Sequence, residues 1–228
     1  MQLNGTLDIE ANNVTVQNSI LTGTSWWGVQ LGVTNTSATG LKLLHDKLLT
    51  VAGQGPDSGG YDYGVSPGHG GAIEVGYSDI SGYKDGVDIS TGSIHDSYIH
   101  NLSQFSGAHT QAVYVYAGGS GVQITDNTLI NDTPISMSTA AIYIAPDSGH
   151  QNNVTVTGNK LAGGALTLYG GDSSATNIVV KNNVFSTIIF SSGGYYGTDG
   201  YWQAGNSGNI WSGNTWADGA YAGQTVSP

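Results

Sequence analysis

The chain has 228 residues, only 9% of them charged, and a formal net charge of −11 from 16 Asp+Glu against 5 Lys+Arg. All five cations are lysines, so nucleic acid, which binds by exchanging counterions for clustered Lys and Arg, is excluded as a partner, and a strongly anionic polymer is disfavoured. The absence of Cys removes disulfides, thiolate nucleophiles and zinc–cysteine sites, and no apolar run reaches the roughly 18 residues that a membrane-spanning helix needs.

Thirty-six glycines sit among abundant Asn, Ser and Thr, yet 38% of residues are apolar, with much Val, Ile and Leu. That balance predicts an all-β core rather than helix or disorder. Met1 runs straight into QLNGTLDIE without a charged leader, which reads as a domain excised from a longer extracellular protein. Trp26 and Trp27, in GTSWWGVQ, point to opposite sides of a strand. One indole, assigned to Trp27, is then free to stack on a sugar; the alternative is that both rings cap the N-terminal end.

From here the chain repeats itself. VTVQNSIL (14–21), VQITDNTLI (122–130), VTVTGNKLA (154–162), IVVKNNVFS (178–186) and NIWSGNTWA (209–217) alternate apolar residues and then place Asn, one residue and an apolar residue. Weaker copies lie at 41–49, 73–81 and 92–100. The recurring polar position is Asn18, Asp46, Ser78, Asp96, Asn127, Asn159, Asn183 and Asn214, at intervals of 18 to 32 residues. Period-two alternation means strand, and a repeat of this length is one coil of a solenoid. The prediction is a single all-β domain over 1–228, a right-handed parallel β-helix of about eight coils, with a buried polar ladder at one turn satisfying backbone groups that lack regular partners.

A second strand follows each ladder position: GVQLG (28–32), GVDIS (86–90), AVYVY (112–116), AIYIA (141–145) and ALTLY (165–169). With Val87, Ile89, Val113, Val115, Ile142, Ile144, Leu166 and Leu168 inward, Gln30, Asp88, Tyr114, Tyr143 and Thr167 form an outward column, flanked by Tyr116 and Tyr169. In this register Asp85 stands beside Gln111, Asp88 beside Tyr114 and Tyr83 beside His109. The long segment from Ala52 to Gly71 departs from the repeat and reads as a lid or binding loop. Its Asp57 and Asp62 are the candidate ligands should the acidic chain hold Ca²⁺. Residues 191–228, rich in Trp and Tyr, read as a C-terminal capping region, since solenoid ends must be covered.

YKDGVDIS (83–90) resembles the T-D-G-I-D-I-S signature of polygalacturonase-type glycoside hydrolases, and SPGHGGAIEVGY (66–77) resembles their Gly-His-Gly segment. The resemblance implies the pectin-lyase-like β-helix superfamily, whose secreted bacterial members act on or bind polysaccharides. It departs from the pattern in three ways: His69 precedes the Asp segment, GAHTQAV (107–113) carries no carboxylate, and there is no Arg. The related pectate-lyase chemistry uses a basic residue with calcium, for which only Lys84 is placed. The resemblance therefore carries the fold and not the hydrolytic machinery.

Three functions remain open at this point. The first is an extracellular module docking a polysaccharide along the tyrosine face, through Trp27, Gln30, Tyr83, Lys84, Gln111, Tyr114, Tyr116, Tyr143 and Tyr169. The second is a glycoside hydrolase or polysaccharide lyase using Asp85 and Asp88 as a carboxyl pair, with His109 orienting substrate; the plain alternative for the pair is a turn residue before Gly86 and a solvated strand residue. The third is a non-catalytic structural or adhesive solenoid.

Overall fold

A computed structural model describes residues 1–51, 61–103, 107–116, 118–147 and 149–228. Among these, strands build three sheets of nine, eight and eight members, all paired in parallel, and no α-helix is present. The chain visits the sheets in fixed rotation, so neighbours within a sheet are three strands apart in sequence. This is the parallel β-helix expected from the repeat.

Like residues stack in columns that fill the interior. On the first sheet Leu21, Leu48, Ile80, Ile99, Leu129, Leu161 and Phe185 lie in register, each 0% exposed. Val29, Val65, Val87, Val113, Ile142 and Leu168 do the same on the second sheet. Fully burying one such side chain is worth about 1.5–3 kcal/mol, and coil-by-coil repetition multiplies it.

The turn between the third and first sheets carries the ladder. Ser19 N–H donates to Asp46 Oδ1 at 2.8 Å, Asp46 N–H to Ser78 Oγ at 3.2 Å, and Ser78 N–H to Ser97 Oγ at 3.1 Å. The chain of bonds continues from Ser97 to Asn127, Asn159, Asn183 and Asn214, each at 2.9 Å. Two expected rungs are therefore corrected: Ser19 and Ser97 replace Asn18 and Asp96. The reason is conformational. The residue before each rung is left-handed, including Asn18 (φ 53°), His45 (φ 57°), Asp96 (φ 49°), Asp126 (φ 57°) and Asn182 (φ 55°). Asn and Asp tolerate that region best among side-chain-bearing residues, so in these two coils they fill the bend and leave the rung to serine.

At the C-terminal end Trp202, Trp211 and Trp216 pack against the core, and Trp211 Nε1 donates to the Val226 carbonyl at 2.8 Å. Tyr195, Tyr196 and Tyr201, expected to help seal this end, are 49%, 73% and 58% exposed.

Candidate functional site

The second sheet holds Trp27, Gln30, Asp85, Asp88, Gln111, Tyr114, Tyr143 and Tyr169, and its outer face is set by a break in alternation. In the strands Trp27–Leu31, Tyr63–Ser66, Asp85–Ile89, Thr110–Val115 and Ser138–Ile144, a Gly or Ala precedes the inward aliphatic residue. A Cβ on Gly86 would collide with core Ile99, one on Gly28 or Gly64 would meet the Tyr83 side chain, and Ala112 and Ala141 belong to the core. Two successive positions thus turn inward. The residues on either side of them, such as Asp85 and Asp88, both face out.

Two outer columns result. One runs Trp27, Tyr63, Asp85, Gln111, Ala140. The other runs Asp8, Gln30, Ser66 and, past Asp88, through Tyr114, Tyr143 and Tyr169. The expected pairings of Asp85 with Gln111 and Asp88 with Tyr114 are present. The strand Leu166–Gly170 is shifted by two residues: Tyr169, not Thr167, stands beside Tyr143, while Thr167 is fully buried and Leu166 only partly so. ALTLY aligns with AIYIA by letter, but the extra turn Gly163–Gly164, both at positive φ, delays the strand.

The carboxyl pair lies at the junction of the columns. Asp85, 2% exposed, accepts from its neighbour Lys84 Nζ at 3.3 Å and from the Gln111 backbone N–H at 3.2 Å. With its amide turned to donate, Gln111 also bonds Asp85 Oδ1 and, at 2.7 Å, the His109 carbonyl. Lys84 also reaches Asp62 at 3.5 Å and lies over the Tyr63 ring at 5.2 Å. Asp88 is 0% exposed; Oδ2 accepts from Tyr116 Oη at 2.8 Å, and buried Oδ1 has no partner. Burial pushes the Asp85 carboxyl up to about 7 against the pull of Lys84. Burial, then the Asp85 charge, holds Asp88 well above the ordinary range. Burial alone would lower Lys84, but Asp85 and Asp62 hold it above the usual lysine value. Lys84 pairs with Asp62 and Asp85 and not with Asp88, so of the two carboxyls Asp88 is the one left without a cation in contact.

Beyond Asp88 the face becomes aromatic. Ring centroids are 4.8 Å apart for Tyr116 and Tyr114, 5.4 Å for Tyr114 and Tyr143, 5.0 Å for Tyr143 and Tyr169, and 5.4 Å for Tyr169 and Tyr201. The first four rings are half-buried and tilted against one another. A cleft of about 370 Å³ opens beside them, lined by His109, Ser138, Thr139, Tyr143, Asp147 and Tyr169 among others. Tyr143 Oη donates to Asp147 at 2.9 Å.

Several expectations are corrected here. Tyr83 is a core residue, 0% exposed, its hydroxyl donating to the Leu49 carbonyl at 2.9 Å. Its carbonyl accepts from Ser103 N–H, so it does not stand beside His109. The glycines at positions 23, 28 and 64 make room for its ring. His109 is exposed and lines the tyrosine cleft instead of facing the carboxyl pair. Trp27 is half-buried with Nε1 donating to Asp8 at 2.7 Å, and Gln30 lies against the Gly68 turn. Tyr63–Ser66, expected within a long loop, is a strand of the second sheet, its small-then-Val pattern hidden by flanking glycines. Asp62 is engaged by Lys84, Asp57 lies outside the described residues, and no group of three or more potential metal ligands occurs among the described residues. Ser66, Ser138, Thr139 and Asp147 join the face without having been singled out, signalled only by the small-residue-plus-aliphatic pattern at 64–65 and 141–142, and Tyr63, expected in the long loop, and Tyr201, expected in the cap, belong to it too.

No family model, curated protein or solved structure matches the chain.

Proposed function

We propose that the protein is an extracellular polysaccharide-binding β-helix module, allied to the pectin-lyase-like superfamily, that docks a glycan along the outer face of its second sheet. The observation that carries the reading is the unbroken row of Tyr114, Tyr143, Tyr169 and Tyr201, with centroids 5.0–5.4 Å apart. Rings repeated at the strand spacing offer one stacking platform per coil, each worth about 0.5–1.5 kcal/mol beyond its buried area. Polar neighbours at Gln30 and Asp147 supply hydrogen-bonding groups to orient hydroxyls, the usual division of labour in a ligand site. The net charge of −11 favours an uncharged glycan over pectin or alginate. Affinity electrophoresis in gels cast with neutral polysaccharides, run with and without calcium chelation, tests this. Retardation of the wild type that Tyr143→Ala weakens at least tenfold is expected. Equal mobility of wild type and variant in every gel would sink the reading and leave the structural or adhesive solenoid.

A second reading draws on the carboxyl pair. Asp85 and Asp88 share one face in different environments, Asp85 held by Lys84 and Gln111 and Asp88 held by Tyr116 with no cation in contact. That difference suits acid–base cleavage of a glycosidic bond. Release of reducing ends that disappears in both Asp85→Asn and Asp88→Asn supports it; activity surviving in either variant removes the pair.

A further inference from the structure

The cleft beside Tyr143 contains a feature that the tyrosine row does not explain. Ser138 and Thr139, 7% and 9% exposed, open the strand Ser138–Ile144, and the hydroxyl of each is buried with no hydrogen-bond partner. Such groups are rare, because a buried hydroxyl without a partner costs about 1–3 kcal/mol. The register explains their position. Thr110 pairs with Ser138 but Gln111 pairs with Ala140, so Thr139 is an extra residue bulged out of the ladder. Bulges re-aim side chains and are enriched beside binding sites.

Around these two hydroxyls the cleft is shaped for a ring. Tyr143 and Tyr169 stand at 5.0 Å and 64°, and Tyr201 continues from Tyr169 at 5.4 Å and nearly parallel, 19°. Asp147 contributes a carboxylate, fixed by Tyr143 Oη, that can accept from ligand hydroxyls. No Lys lines the cleft, and His109 is the sole group there able to carry positive charge. The volume of about 370 Å³ falls at the lower end of small-ligand sites.

We infer that this cleft is a subsite for a single uncharged pyranose unit, its ring packed against Tyr143 and the exposed Tyr201 that stacks on Tyr169, and its hydroxyls completing the bonding of Ser138 Oγ, Thr139 Oγ1 and Asp147. The inference rests on the glycan-binding reading and fixes its polarity: the chain is gripped at the Tyr201 end of the row and runs from there toward Tyr114. An acidic sugar is disfavoured because its carboxylate would face Asp147, with no lysine in the cleft and His109 alone able to offset the repulsion.

Calorimetric titration with cellohexaose, xylohexaose, mannohexaose and hexagalacturonate tests the assignment. At least one neutral oligosaccharide is expected to bind and hexagalacturonate to give no heat. Thr139→Val, which keeps shape and removes the hydroxyl, is expected to weaken the neutral ligand about fivefold to tenfold, as loss of one net hydrogen bond does. Ser138→Ala should act similarly, and melting curves should show both variants folded. Binding that falls in Tyr114→Ala but is unchanged in Thr139→Val and Ser138→Ala overturns the subsite while keeping the tyrosine row. Preference for hexagalacturonate overturns the uncharged class. Silence from every oligosaccharide overturns the subsite and the reading beneath it together.

Discussion

Asp46 is the one carboxylate in a ladder of amides and hydroxyls, and replacing it with Asn should stabilise the protein. Asn127, Asn159, Asn183 and Asn214 each donate Nδ2 to a carbonyl of the preceding coil, at Ile94, Ile124, Val156 and Val180, over 2.8–3.0 Å. Each acceptor lies three residues before the preceding rung, so the matching carbonyl for Asp46 is that of Val16. Asp46 is 2% exposed and its Oδ2 has no partner. An ionised carboxylate has no proton to give that carbonyl. Asp46→Asn would add a net hydrogen bond of about 0.5–1.5 kcal/mol and remove an unsatisfied buried oxygen costing about 1–3 kcal/mol, for a gain near ~2 kcal/mol. In a chain this long that raises Tm by roughly 4–8 °C. Burial raises the Asp46 carboxyl above its ordinary value of 3.8. Its favourable contribution is therefore complete below that value and is lost as pH rises through the raised one. The advantage of Asn should be largest at neutral pH and shrink as the solution is made acid, where the protonated wild-type carboxyl donates for itself. Circular-dichroism melts at one scan rate across that range measure this. Equal melting at neutral pH, or a gain that does not shrink in acid, would refute the assignment of the missing donor.

Other consequences follow from the second sheet. Burial favours the neutral form of Asp88, so Asp88→Asn, which keeps shape and the acceptor for Tyr116, should shift stability by less than about 1 kcal/mol, whereas Tyr116→Phe strips the partner from Oδ2 and should cost about 1–3 kcal/mol by urea unfolding. The Asp85 carboxyl rises from 3.8 to about 7 on folding. The native state thus binds the extra proton, and the stability that Asp85 contributes should be lost as pH climbs from 4 to 7. Asp85→Asn should flatten that fall, which is bounded at roughly 4 kcal/mol for a shift of this size. Gly86→Ala places a methyl against Ile99 and the Ala112 carbonyl, both in the packed interior. Overpacking there should cost about 1–3 kcal/mol and be visible as a lower Tm or loss of soluble protein.

Much of the fold is legible because a solenoid writes the same physical problem once per coil. The ladder asparagines from Asn127 onward are read directly, since each must satisfy one backbone N–H of the coil before it. At Asn18 and Asp96 the letters mislead, because the left-handed bend and the buried rung select overlapping residue types. The carboxyl pair is legible as a pair, but its shared face is not. Strict alternation would put Asp85 and Asp88 on opposite sides, and only the inward turn of both Gly86 and Val87 reunites them. Tyr83 shows the converse: a tyrosine beside a polar segment reads as a surface ring until glycines at 23, 28 and 64, remote in sequence, are seen to make the space it fills.

Coil length then decides how the acid pair relates to the tyrosine row. The ladder advances from Ser78 to Ser97 in 19 residues, against 32 for the step before and 30 for the step after. Nineteen residues accommodate the strands Asp79–Ser81, Asp85–Ile89 and Gly92–His95 with only minimal turns. Asp85 and Asp88 are therefore mounted on strand backbone, where position is held more closely than on a loop. Asp88 cannot be reached from solvent without displacing a neighbour, and its one hydrogen-bond partner is Tyr116, the first ring of the row. A glycan confined to Tyr143, Tyr169 and Tyr201 leaves that bond intact, while one extending over Tyr116 breaks or remakes it. The carboxyl carbon resonance of Asp88, followed during titration, should therefore stay fixed in the first case and move in the second, which separates binding along the row from contact with the acid pair.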